Sequence, residues 1–95
     1  MEIGILKIKG CAALAPMAGV ADRAFRELCV SYGAAYVVSE MISSKGVSLG
    51  DRKSKALMQL SGEERPAGVQ IFGNDPSVMA QSVKTVLGVS PDFVD

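Results

Sequence analysis

The stretch Leu14-Ala15-Pro16-Met17-Ala18-Gly19-Val20-Ala21-Asp22-Arg23-Ala24-Phe25-Arg26 runs from an apolar strand, across a turn of small residues, into a helix opened by Asp22. Pro16 lacks an N–H and fixes φ, so strand pairing stops there. The next amides, at Met17 and Ala18, are then expected to face the mouth at the carboxyl end of the strand. Ala18 and Gly19 let a flat ring approach their backbone, and Met17 is soft enough to pack on it. Read without a ligand, the same residues make a plain strand-to-helix turn.

Working outward, apolar runs of strand length stand at residues 12–15, 35–39, 67–72 and 93–95. Helical patterns separate them. In the first, Asp22 caps the N-terminus, Ala24, Phe25, Leu28, Cys29 and Tyr32 form an apolar stripe, and Gly33 supplies the stop. The middle connection reads as a helical turn near residues 42–47, a break at Gly50, and a helix over 52–60 burying Ala56, Leu57 and Leu60. The last helix opens on Asp75 and Pro76, buries Met79, Val83, Val86 and Leu87, and stops at Gly88. Residues 1–11 are expected to form a short hairpin arm, with Gly4 and Gly10 as turn residues.

Strand and helix therefore alternate, which predicts a parallel sheet with right-handed crossovers. The strands start near residues 12, 35, 67 and 93, spacings close to the roughly 31 residues per unit of a (β/α)8 TIM barrel. A doubly wound, flavodoxin-like sheet gives a similar pattern, but the G-x-G-x-x-G phosphate turn after a first strand is missing. Four strands cannot close a barrel, and the sequence ends inside an apolar strand signal at Phe93-Val94-Asp95. The expected fold class is accordingly α/β: residues 1–95 as the N-terminal portion, about strands one to four, of an incomplete TIM barrel.

Composition narrows the function. The 95 residues are 48% hydrophobic and 21% charged, as in a folded globular chain, and ten Lys and Arg balance ten Asp and Glu. No global field steers polyanions to it. Its apolar runs fall far short of the ~20 residues that span a bilayer, and Lys7-Ile8-Lys9 interrupts any secretory signal, so a cytoplasmic chain with no membrane partner is expected. Cys11 and Cys29 form no CxxC and the chain has no histidine, so no metal or redox dithiol is spelled out. Lys45, Arg52, Lys53 and Lys55 are the only basic concentration, read as a solvated helix face.

In a parallel barrel the active face lies at the carboxyl ends of the strands, which here carry Pro16 to Gly19, Ser39-Glu40-Met41, Gln70 and Phe72-Gly73-Asn74. Gln70, between Val69 and Ile71, must satisfy two donors and an acceptor in a buried strand. A heterocycle with imide and carbonyl edges, such as a flavin, meets that set; a neighbouring strand or buried water is the alternative. Glu40 is open to three readings: a ligand contact, a partner of Lys45, or, the simplest, a carboxylate satisfying local amides.

Three blocks, Ala15-Pro16-Met17-Ala18-Gly19-Val20-Ala21-Asp22-Arg23-Ala24-Phe25-Arg26, Ser39-Glu40-Met41-Ile42-Ser43-Ser44 and Val69-Gln70-Ile71-Phe72-Gly73-Asn74-Asp75-Pro76, resemble the tRNA-dihydrouridine synthase family. The opening arm looks most like its bacterial B-type branch. The resemblance implies a TIM barrel holding FMN, followed by a helical tRNA-binding domain, that reduces uridine in tRNA to dihydrouridine with NADPH as reductant; the full-length protein is expected to be a monomer. Pro16, Met17 and Ala18 match the family's first flavin-contacting segment, and Gln70 matches the glutamine that hydrogen-bonds the isoalloxazine. Ala21 replaces a threonine common in the family, a mild change. The family's catalytic cysteine stands in an N-x-G-C-P motif past the fourth strand, beyond Asp95, and neither Cys11 nor Cys29 matches it. No catalytic residue is therefore assigned, and this piece alone is expected to be inactive. Two other readings are another FMN barrel reducing enones or dihydropyrimidines, and a non-catalytic half-barrel module that pairs with a second copy.

Overall fold

The computed structural model describes all residues from Met1 to Asp95. At the N-terminus β1 (Glu2–Ile3) and β2 (Leu6–Lys7) pair antiparallel across a turn in which Gly4 takes φ +57°. There follow α1 (Arg23–Ser31), β3 (Val37–Val38), β4 (Ile42–Ser43), α2 (Ser44–Ser48) and α3 (Arg52–Leu57). The chain ends with β5 (Ala67–Val69), β6 (Ile71–Phe72), α4 (Pro76–Val86) and β7 (Phe93–Val94).

The parallel sheet is built from sequential neighbours. Leu14 bridges Val37, β3 pairs β5 with Val37 opposite Ala67, and β5 pairs β7 with Gly68 opposite Phe93. A flavodoxin-like sheet sets its first strand between the second and third; here the second lies between the first and third. The expected first strand over residues 12–15 shrinks to the Leu14 bridge, framed by Leu14 N–H to Tyr36 O at 3.1 Å and Ala35 N–H to Ala12 O at 2.7 Å. It has a pairing partner on one side only, and Pro16 ends it.

Alternation along the strands separates two faces. Val37, Ala67 and Val69 are fully buried, and the core joins Val69 to Ile42 of β4 and to Val47, Met58 and Val86 of the helical segments. Each such side chain contributes about 1.5–3 kcal/mol when fully buried. Tyr36, Val38, Gly68 and Phe93 share the other face. The Phe93 ring occupies the space a Cβ on Gly68 would need, and Tyr36 meets it edge-on with centroids 5.5 Å apart. That face opens into a cleft of about 510 Å³ between the Leu14 segment and β7.

The helices depart from the expected patterns in instructive ways. Asp22 caps α1 through Phe25 N–H, but Leu28 and Tyr32 are 52% and 86% exposed, and Arg26 is buried. The packed face runs through Phe25, Arg26, Cys29 and Val30. Arg26 Nε donates to Glu64 Oε1 at 2.7 Å and Nη1 to Ala21 O at 2.8 Å, while Glu64 Oε2 accepts from Ser61 N and Oγ. A buried guanidinium and carboxylate with all these partners outweigh the hydrophobic stripe in setting the rotation of α1. α3 stops at Leu57 and buries Ser54 and Met58 rather than Ala56. α4 is capped by Asp75 with Pro76 in its first turn, but Leu87 is exposed and Gly88 sits inside a 3₁₀ turn, so the chain reverses at Ser90, φ +53°.

Candidate functional site

The rim at the carboxyl ends of the strands is shaped by a one-residue mismatch. Four steps separate Val38 from Ile42, whereas three separate their partners Gly68 and Ile71, so the second strand carries an extra residue at Ser39–Met41. This is a bulge, which breaks the ladder and re-aims side chains. Ser39, fully buried, repairs the break: its hydroxyl accepts from Gln70 N–H at 3.1 Å and donates to Glu40 O at 3.0 Å. Beyond the bulge, Ile42 N–H reaches Gln70 O at 2.9 Å and the parallel pairing of β4 with β6 resumes.

The bulge turns Glu40 toward the first strand's turn, where its Oε1 accepts from Gly19 N–H at 2.5 Å. Glu40 thus satisfies a local amide and makes no ion pair with Lys45. From the other end of the turn, Met17 O accepts from Val20 and Ala21 N–H at 3.1 and 2.8 Å, and Arg26 holds Ala21 O. Pinned in this way, the turn leaves the N–H groups of Met17 and Ala18 without acceptors in the protein. Met17 is 38% exposed and Ala18 is exposed.

Gln70 lies at the break between β5 and β6, half-buried. Its Nε2 donates to Asp95 Oδ2 at 2.7 Å, and its Oε1 has no partner in the protein. Pro16 and Asp95 line the concave cleft together; Gln70 does not line it and is tied to it through its hydrogen bond to Asp95. Ala18 lines a second cleft of about 540 Å³ with Gly19, Glu40, Met41, Phe72 and Lys53. Met17 lines neither of these two. At the second cleft's edge Asp51 caps α3, accepting from Ser54 N and Oγ at 3.1 and 3.0 Å. Those hydrogen bonds, with Lys53 nearby, hold its carboxyl below the ordinary value of 3.8.

The sequence reading placed Pro16, Met17, Ala18 and Gln70 on this rim but missed what positions them. Ser39 as the bulge's repair, Asp95 as the Gln70 partner and the Arg26–Glu64 pair were all unassigned. A serine closing the apolar run of residues 35–39 was the one signal for the first; nothing local announces the others. Cys11 is exposed, Cys29 is half-buried, and neither lines the two clefts.

A family model described as dihydrouridine synthase (Dus) matches residues 13–95. The chain belongs to that family. It is 50% identical over 84 residues to the tRNA-dihydrouridine synthase B of Shewanella oneidensis, covering 88% of this chain and 26% of that protein. It is 48% identical over its whole length to the protein of the same name from Vibrio vulnificus, and 39% to that from Pseudomonas aeruginosa. These matches cover 30% and 29% of those relatives, so the dihydrouridine synthase segment seen here spans under a third of their length. No helix of the structure is long and apolar enough to cross a membrane.

Proposed function

We propose that this chain forms the N-terminal arc of a (β/α)8 barrel in a cytoplasmic enzyme that reduces uridine in tRNA to 5,6-dihydrouridine, with FMN as cofactor and NADPH as reductant. The observation that carries the reading is a set of unfilled hydrogen-bonding groups on one rim. Met17 and Ala18 offer bare N–H donors, and Gln70 offers a bare carbonyl acceptor. A flavin ring carries carbonyl acceptors and an imide donor, so the groups present fit its edge. The sequential parallel strand order and the names of the relatives support the same reading.

In this reading Met17 and Ala18 hold ring carbonyls, Gln70 Oε1 takes the imide N–H, and Pro16 keeps the donors free by ending strand pairing. The Met17 side chain, more than a third exposed, packs against the ring. Bound there, FMN supplies hydride-transfer chemistry, while the protein supplies orientation. Glu40 fixes the turn through Gly19, and the Ser39 hydroxyl fixes the Gln70 backbone. No proton donor to the uracil ring is assigned among these residues.

The test is Gln70→Ala in the full-length protein, read by visible flavin absorbance after purification. Flavin occupancy is expected to fall several-fold with far-UV circular dichroism unchanged. Full occupancy in the variant would remove Gln70 from the site.

A further inference from the structure

A cleft of about 750 Å³, larger than either described above, lies between α2 and the N-terminal turn of α4. Its wall includes Ser44, Lys45, Leu49, Phe72, Asn74 and Asp75. Ser44 is 1% exposed, yet its hydroxyl makes no hydrogen bond within the protein while it lines the cleft. It sits where a Cβ on Gly73 would fall, so only glycine there lets the β6–α4 loop lie this close to it. No side-chain oxygen of the protein is both fully buried and unpartnered, so the Ser44 Oγ keeps contact with the cleft, where it is free to meet a ligand acceptor.

The groups beside it point to the ligand's chemistry. Lys45 is exposed and takes part in none of the three ion pairs, which join Arg23 to Glu27, Arg26 to Glu64 and Arg65 to Asp92. The Asn74 carboxamide has no partner in the protein. Asp75, the carboxylate on this wall, is engaged in capping Ser77 and Val78 N–H at 2.9 and 3.3 Å. In the same cleft lining, Phe72 is 45% exposed and Leu49 is exposed. A cation, a hydroxyl and an amide sharing a cleft with an aromatic ring match a phosphate joined to a base.

We infer that this cleft seats one nucleotide of the RNA strand, its phosphate on Lys45, Ser44 and Asn74 and its base against Phe72. The inference rests on the proposed function, because Phe72 and Ser43 line both this cleft and the one beside Ala18. A strand whose uridine enters the rim therefore passes this wall. The single lysine sets the expected size of the electrostatic effect: one phosphate contact, or about 0.7–0.9 in the slope of log affinity against log salt.

The experiment is filter binding of transcribed tRNA to the full-length protein over a range of KCl, for wild type, Lys45→Ala, Lys45→Gln, Phe72→Leu and the remote Lys84→Ala. Both Lys45 variants are expected to lower the slope by about one phosphate, and Phe72→Leu to weaken binding about 5-fold or more with the slope unchanged. Lys84→Ala is expected to leave the slope as in wild type. If wild type binds tRNA and both Lys45 variants keep its slope, the nucleotide seat is overturned and the proposed function stands. If wild type does not bind tRNA at all, the proposed function itself fails. Competition by UMP alone at micromolar concentration would show a mononucleotide site and overturn the assignment to an RNA strand.

Discussion

The first turn, from Pro16 to Asp22, and the third strand, from Ala67 to Phe72, border the same rim but are fastened by different physics. The turn is held by polar groups: Glu40 on Gly19, Arg26 on Ala21, and Glu64 behind Arg26. The third strand is held by apolar burial, with Val69 inside the cluster of Ile42, Val47, Met58 and Val86. The difference follows from what the turn presents. A segment that keeps the Met17 and Ala18 amides bare at the surface is buried only at Ala21, so its position comes chiefly from charged side chains reaching out to it, the buried Arg26 and the half-buried Glu40.

Breaking the polar fastening has the largest expected effect. Glu64→Ala leaves the 2% exposed Arg26 as an uncompensated buried charge, and the expected loss is about 3–5 kcal/mol in urea unfolding, with flavin occupancy falling alongside. Replacing both partners, Arg26→Met with Glu64→Leu, is expected to unfold closer to wild type than Glu64→Ala does. An unfolding midpoint in Glu64→Ala equal to wild type would dissolve the contrast. The apolar side is expected to respond more gently to a small change: Ile42→Val removes one methylene from a fully buried side chain, at a cost of about 0.5–1.5 kcal/mol. Flavin occupancy should not move with it, because Ile42 touches the rim only through its backbone bond to Gln70.

The same contrast explains what the sequence let one read. Asp22, Asp75 and Pro76 announce helix starts because capping is local chemistry, and the structure uses all three as expected. The alternation of strands and helices was legible from the changing periods, since each period reports a local backbone geometry, whereas the order of strands in the sheet came from their pairing. The rotation of α1 was not legible. It depends on Glu64, 38 residues from Arg26, and a charged residue on a helix ordinarily reads as its solvent side. Nor was the bulge, because it is a mismatch between two strands and neither strand shows it alone. On the rim, Pro16 and Gln70 stood out by what they lack or must satisfy, whereas Glu40's bond to Gly19 needed the bulge to aim it.

The smallest effect sharpens the comparison by pH. Asp51 caps α3 at the edge of the Ala18 cleft, and its carboxyl lies below its ordinary value because it accepts from Ser54 N and Oγ, with Lys53 adding to the same direction. A carboxyl more acidic in the folded chain than in the unfolded one binds fewer protons when folded as the pH drops. Its contribution is therefore fully present above the ordinary carboxylate range and is lost as the pH falls through the lowered folded value. Because Asp51 is exposed, the effect is small, and the measurement that isolates it is local. An NMR titration of the Ser54 amide should show a midpoint below 3.8, and Asp51→Asn should abolish that transition. The amide of Val69, inside the apolar cluster, should stay flat through the same range. If the Ser54 amide titrates at or above the ordinary value, the cap is weaker than its geometry indicates, and the polar edge of the cleft is held by the Glu40 and Arg26 contacts alone.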